Sequence, residues 1–229
     1  DEINTCIACN QACLDHTFAR KRASCLVNPR AGYETELNFP LTTHKKKIAV
    51  VGAGPAGLAF SCYASERGHE VHLFEKNSEI GGQFNYAKRI PGKEEFYETI
   101  RYFKKRLEVT GVHLHLDSQQ STESLADAKF EQVVLATGIK PRELDIDGIG
   151  HPKVMNYLDV LRDNKEVGKK VAIIGAGGIG FDVAEFLVEE HSLTTQPDQW
   201  LKNWGIDKEY SQAGALTDAI IEAPAREVL

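Results

Sequence analysis

The sequence predicts an α/β fold: two βα units, each opening on a glycine-rich turn, behind a short cysteine-rich segment. Three observations carry this. Gly52, Gly54 and Gly57 stand at G-x-G-x-x-G spacing directly after the apolar run 48–51. Gly175, Gly177 and Gly180 repeat that spacing after a second apolar run at 171–174. Cys6, Cys9, Cys13 and Cys25, four of the five cysteines, crowd the start of the chain.

Composition bounds the rest. The chain has 229 residues, 42% hydrophobic and 26% charged, which suits one large or two small domains with a proper core. A net charge of −6 excludes a nucleic-acid partner held by bulk electrostatics. No run of about twenty apolar residues is present, so no membrane span is expected. The opening Asp-Glu-Ile-Asn is not a secretory signal. With no initiator Met and no closing element at Arg226–Leu229, both ends read as cut from a longer protein. The expected organisation is residues 1–46 as cysteine segment and linker, 47–150 as a first nucleotide domain, and 151–229 as the start of a second.

In chain order, the cysteines come first, at C-x2-C-x3-C-x11-C spacing. Clustered cysteines beside cytosolic features point to metal or redox work rather than disulfides. Three close thiolates and one remote suit a [4Fe–4S] cluster; a tetrahedral zinc site is the alternative. His16 lies among them but is not needed as a ligand. Residues 31–46, with Gly32, Asn38 and Pro40, read as an irregular connection, and the basic run 44–47 as a solvated linker.

The stretch 47–75 is a βαβ unit of about thirty residues, the dinucleotide fingerprint. Gly52 permits the tight turn, Gly54 the approach of a pyrophosphate, and Gly57 the packing of helix on strand. Pro55 suits a first helical position, and the helix start offers free N–H groups to phosphate. The second strand, 70–74, ends at Glu75, placed to accept hydrogen bonds from a ribose diol. Cys62 reads as a buried small hydrophobe. Gly81-Gly82 lets the main chain lie against a ligand, and Gln83 can donate to or accept from a flavin or ribose.

Phe96, Ile100, Phe103 and Leu107 form one stripe of a helix over 93–110. A strand over 112–116 turns His113 and His115 outward, towards solvent. The run 132–135 ends in Ala136-Thr137-Gly138, small residues at the strand edge where open α/β sheets bind ligands. A crossover through Pro141, Gly148 and Pro152 contains a brief strand at 154–156 and a helical turn at 157–162. The second unit then opens with a strand at 170–174, Gly175, Gly177, Gly178, Ile179 and Gly180, and a helix from 182. No β run ending in an acid or a basic cluster follows Glu190; residues 191–229 read as an insertion in which the chain stops. No hydrolytic constellation is present, so no catalytic residue is named.

Together these motifs resemble a known family. Cys-Ile-Ala-Cys-Asn-Gln-Ala-Cys at 6–13, Ser24-Cys25-Leu26-Val27-Asn28-Pro29, the Gly52 fingerprint, Gly81-Gly82-Gln83-Phe84, Ile90-Pro91-Gly92 with Lys93-Glu94-Glu95-Phe96-Tyr97, and Ala136-Thr137-Gly138 occur in this order. Over essentially its whole length the chain resembles the bacterial NADPH-dependent 2,4-dienoyl-CoA reductases of the NADH:flavin oxidoreductase (old yellow enzyme) superfamily. The resemblance implies Rossmann-like FAD/NAD(P)-binding domains preceded by an iron–sulfur segment. It implies a preceding (β/α)8 barrel with FMN, the substrate site and the substrate-protonating residues, and a later segment that completes the FAD domain. Electrons would pass from NADPH through FAD and [4Fe–4S] to FMN and reduce a 2,4-dienoyl-CoA in fatty acid β-oxidation, in the cytoplasm. By the same resemblance Cys6, Cys9, Cys13 and Cys25 hold the cluster. Gly54, Ala56, Glu75, Lys76, Gly82 and Gln83 line FAD, with Thr137 and Gly138 nearby and Gln11 touching a flavin. Gly177, Gly178 and Ile179 begin the NADPH pyrophosphate site. The fragment by itself is expected to be inactive. Amine dehydrogenases and enoate reductases share the architecture; a non-catalytic electron-transfer subunit, like the small subunit of glutamate synthase, is a reading from another class.

Overall fold

The computed structural model describes residues 2–142, 144–189 and 191–229. The chain divides into two compact units. The first comprises Asp1–Asn85 and Glu95–Arg142, the second Tyr86–Glu94 and Glu143–Leu229. Residues 86–94 fold with the second unit. Among the described residues no helix is long and apolar enough to cross a membrane.

The first unit opens with the cysteine segment and one short helix, α1 (Leu14–Phe18). Residues 31–46 hold no helix or strand. They lie over the C-terminal end of α2 (Pro55–Glu66): Phe39 stacks on Tyr63 at 4.8 Å and Thr42 N–H donates to the Arg67 carbonyl over 2.8 Å.

A four-stranded sheet follows, in the order β3-β2-β1-β4, built from β1 (Lys47–Val51), β2 (Glu70–Phe74), β3 (His113–His115) and β4 (Gln132–Leu135). Every neighbouring pair is parallel, with Val50 opposite Leu73 on one side and Val134 on the other. One face buries Ile48, Val50, Val71 and Leu73 against Leu58 and Cys62 of α2 and Leu107 of the longest helix. That helix, introduced in chain order as α4 (Glu95–Thr110), follows a single turn, α3 (Phe84–Ala87). Full burial of each such aliphatic side chain contributes roughly 1.5–3 kcal/mol. Ile100 and Phe103 also pack on this core, as the stripe predicts, whereas Phe96 stacks on Phe84 at 4.5 Å. Between α4 and β4 lies α5 (Thr122–Asp127), closed by a reciprocal cap between Ser121 and Ser124.

His113 and His115 face outward, as the alternation predicts, His113 exposed and His115 half-buried. His72 of β2 meets them on the open face of the sheet: His72 Nδ1 lies 3.0 Å from His115 Nε2, and its ring stacks on His113 at 4.7 Å. Neighbouring parallel strands bring same-face side chains together.

The second unit contains α6 (Tyr157–Leu161), β5 (Lys170–Val171), α7 (Gly178–Val188), α8 (Pro197–Asn203) and β6 (Glu227–Val228). Asn156 caps α6, accepting from Leu158 N–H and Asp159 N–H, while Asp159 accepts from Asn156 N–H over 2.7 Å. No strand forms at 154–156, and the expected strand 170–174 is regular only at 170–171, with Ile173 N–H still donating to the Leu229 carbonyl over 2.8 Å.

A short strand does lie within the stretch 191–229 that the sequence reads as an insertion. Residues 227–228 pair parallel with β5, so β5, α7 and β6 make a second βαβ unit with a long excursion inside it. Ile90, 1% exposed, anchors this unit's core with Val160, Leu161, Val183 and Leu187. Lys93 pairs with Asp182 at 2.6 Å and Glu94 accepts from Thr194 Oγ1 over 2.7 Å, which is why 86–94 folds here.

Candidate nucleotide and cysteine sites

The first glycine turn sits at the carboxyl edge of the sheet, between β1 and α2. A Cβ on Gly52, whose φ is +106°, would lie 2.3 Å from the Ala136 carbonyl oxygen, so the end of β4 can pass only over a glycine. A Cβ on Gly57 would lie 1.9 Å from the Gly52 carbonyl oxygen, so α2 seats on the turn only without a side chain there. Gly54 differs: no atom lies within 4 Å of its would-be Cβ. The fold does not need that glycine, which leaves a bare backbone beside the N-terminus of α2, with exposed Ala56 in the first turn. Such a terminus presents unpaired N–H groups and a positive dipole end.

Other expected residues gather at this turn. Gly81 N–H donates to the Ala53 carbonyl over 2.8 Å, and a Cβ on Gly82 would lie 3.0 Å from Gly54 Cα. Gln83 follows, half-buried; Lys76, Thr137 and Gly138 are exposed. Ala136 N–H donates to the Val51 carbonyl over 2.9 Å, which brings 136–138 alongside Gly52.

Glu75 is only 6% exposed and bonded on both oxygens. Oε2 accepts from Ala53 N–H over 2.9 Å. Oε1 accepts from Asn77 N–H over 3.0 Å and Asn77 Nδ2 over 2.7 Å. Sequence reasoning identified the acid but not Asn77. The available signal was an Asn two residues on, a side chain prone to local hydrogen bonds.

The second turn repeats the first. Gly175 has φ +118°, and a Cβ on Gly180 would lie 2.1 Å from the Gly175 carbonyl oxygen, the relation of Gly57 to Gly52. Gly177 and Gly178 stand open, and Ile179 is exposed at the start of α7.

The cysteine segment folds back on itself. Cys13 precedes α1, and Ser24 N–H donates to the Ala12 carbonyl over 2.7 Å, which returns the chain bearing Cys25 to the Cys13 loop. Cys6 Sγ accepts from Ala8 N–H over 3.3 Å, with Ala8 held at φ +54°. His16 Nδ1 lies 3.0 Å from the Arg22 carbonyl and serves the loop. Gln11 is exposed between two cysteines. Among the described residues, no group of three or more histidines, cysteines, aspartates or glutamates is arranged to hold a metal ion. The donor chemistry nonetheless suits an iron–sulfur cluster: four thiols, with an N–H···S bond of the kind that tunes cluster potentials. Cys62 is a different case, since burial pushes its thiol up to about 11.

Residues 46–196 match the pyridine nucleotide-disulphide oxidoreductase family. The chain belongs to that family. Pyridine nucleotide-disulphide oxidoreductase domains imply FAD and a nicotinamide nucleotide, and both glycine turns fit dinucleotides. This oxidoreductase chain is 37% identical over 205 residues to a metal reductase of Desulforamulus reducens, covering 88% of the chain and 31% of that relative. It is 34% identical over 200 residues to a cinnamate reductase of Clostridium sporogenes, covering 85% and 29%. Among solved structures, a 2-naphthoyl-CoA reductase in complex with 2-naphthoyl-CoA superposes with a TM-score of 0.77 at 36% identity, covering 81% of the chain and 28% of that protein. The chain thus spans about three-tenths of the length of these relatives.

Proposed function

We propose that the chain is the electron-transfer portion of a cytoplasmic NADPH-dependent 2,4-dienoyl-CoA reductase whose FMN and substrate site lie in a barrel outside these residues. One observation carries the reading: a C-x2-C-x3-C-x11-C segment stands directly before two glycine turns with the same internal geometry. The likeness to a reductase bound to an aromatic CoA thioester supports a conjugated CoA thioester as substrate.

Bound here, FAD would supply chemistry that links two-electron exchange with a nicotinamide to one-electron exchange with an iron–sulfur cluster. The chain's own residues bind and orient. Gly54 and Gly82 leave room for a pyrophosphate, and the first amides of α2 face it. Glu75 accepts from the adenosine ribose. Ala56, Lys76, Gln83, Thr137 and Gly138 border the same crevice, and Gln11 is the residue of the cysteine loop assigned to flavin contact. Gly175, Gly177, Gly178, Ile179 and Gly180 receive the second pyrophosphate, and Cys6, Cys9, Cys13 and Cys25 hold the cluster.

The test is anaerobic preparation of the whole polypeptide, iron and zinc analysis, low-temperature EPR after reduction, and turnover with NADPH and a 2,4-dienoyl-CoA. About four irons per chain and dienoyl-CoA reduction are expected. Zinc without iron overturns the cluster assignment. Iron and flavin without dienoyl-CoA reduction overturns the substrate.

A further inference from the structure

Glu75 has less hydrogen-bonding capacity to spare than its position suggests. An ionised carboxylate offers about four lone-pair sites. Asn77 fills both on Oε1 through its N–H and Nδ2, at 3.0 and 2.7 Å. Ala53 N–H fills one on Oε2 at 2.9 Å. The remaining site is on Oε2, the oxygen beside the turn that carries Gly54. A ribose diol presents two hydroxyls, so this carboxylate can accept from only one of them while Asn77 stays in place.

We propose that Asn77 is a positioning residue that saturates Oε1 and thereby restricts adenosine recognition to a single ribose hydroxyl on Oε2. The inference rests on the reading of Glu75 as the ribose acceptor. It goes further in assigning an exposed neighbour, without contact to the nucleotide, control over how many hydroxyls are read. The backbone supports the arrangement from outside: Asp117 N–H donates to the Asn77 carbonyl over 3.0 Å, and Ser118 N–H to the Glu75 carbonyl over 2.8 Å. The Glu75–Asn77 corner is thereby held against the chain leaving β3.

The experiment uses the whole polypeptide freed of flavin. ADP, 2′-deoxy-ADP, 3′-deoxy-ADP and 2′,3′-dideoxy-ADP compete with FAD rebinding, read by flavin fluorescence. The parent protein should lose at least about tenfold in affinity for one monodeoxy analogue and none for the other, the worth of one hydrogen bond to a charged group. Asn77→Ala frees one site on Oε1, and both monodeoxy analogues should then bind at least about tenfold more weakly than ADP. Asn77→Leu removes the same side-chain donor without placing a charge beside Glu75, and should give the same pattern. A merely structural role for Asn77 would weaken all four ligands alike and leave their ratios unchanged. If the parent distinguishes ADP from the dideoxy analogue but the variants keep its single-hydroxyl pattern, the inference about Asn77 falls and the ribose reading stands. If the parent does not distinguish ADP from the dideoxy analogue, the ribose reading itself falls.

Discussion

The amide of Gly81 donates to the carbonyl of Ala53 across 2.8 Å. This bond joins two glycine turns that lie almost thirty residues apart in sequence and sets Gly82 against Gly54. It also divides the glycines by task. Gly52 and Gly57 are required by the protein's own packing, whereas Gly54 leaves a space that the fold does not use.

That division is measurable. Gly57→Ala drives a methyl into the Gly52 carbonyl and should cost more than about 3 kcal/mol or prevent folding. Gly54→Ala meets no atom and has an ordinary φ of −76°, so its melting temperature should stay near the parent's while FAD affinity drops at least about tenfold. Thermal melts paired with FAD titration check both. Equal FAD affinity in Gly54→Ala would mean that the pyrophosphate lies elsewhere.

Glu75 should matter before any nucleotide binds. Glu75→Ala strands the buried Ala53 N–H and releases Asn77, and should lower the unfolding free energy by about 1–3 kcal/mol. Urea denaturation of flavin-free protein measures this. A loss confined to the FAD-bound form would show that the carboxylate serves only the ligand.

The histidine face makes stability depend on pH. Burial, then the neighbouring His72 and His113, lower the pKa of His115 below its ordinary 6.5. The unfolded chain therefore binds a proton more readily than the folded one, so stability rises with pH across this window. His115 contributes fully above about 6.5, and that contribution is lost as pH falls through the depressed folded value. His115→Gln should flatten the change in melting temperature between pH 5 and pH 7.5. An unchanged slope would place the acid sensitivity elsewhere.

The cysteines should separate into two classes. In cluster-free protein, iodoacetamide at pH 8 should label Cys6, Cys9, Cys13 and Cys25, which are exposed or half-exposed. Cys62 is buried, and its thiol is raised to about 11 by that burial, so it should react only after denaturation. Peptide mass mapping gives the answer. Fast labelling of Cys62 would mean that α2 leaves the sheet readily.

Much of the first unit was legible because its strands are apolar runs closed by glycine or acid, and its long helix carries a clear stripe. The second unit was less so. β6 is two residues long and carries no periodicity, and it pairs across a polar excursion that reads as the end of regular structure. Residues 86–94 look like a loop of the first unit, because nothing local reveals that Ile90 completes a distant core. At the site, the Glu75 motif was visible from its place at the end of β2. Asn77 stands only two residues from the acid and could have been read as its local partner, whereas His72 acts through His113 and His115 across the sheet, which spacing along the chain does not report.

The pairing of β5 with β6 has a consequence for synthesis. The first unit can close once residue 135 is available, since all four of its strands precede that point. Ile90 must wait for residues 160–187, and β5 stays without a partner until residues 227–228 have been made. An emerging chain would thus carry a four-stranded sheet already paired, trailed by the unpartnered Ile90 segment and an open strand edge. Those are features that attract chaperones and mispairing between nascent chains. Translation rate through 136–228 is then the variable on which the yield of correctly folded protein should depend.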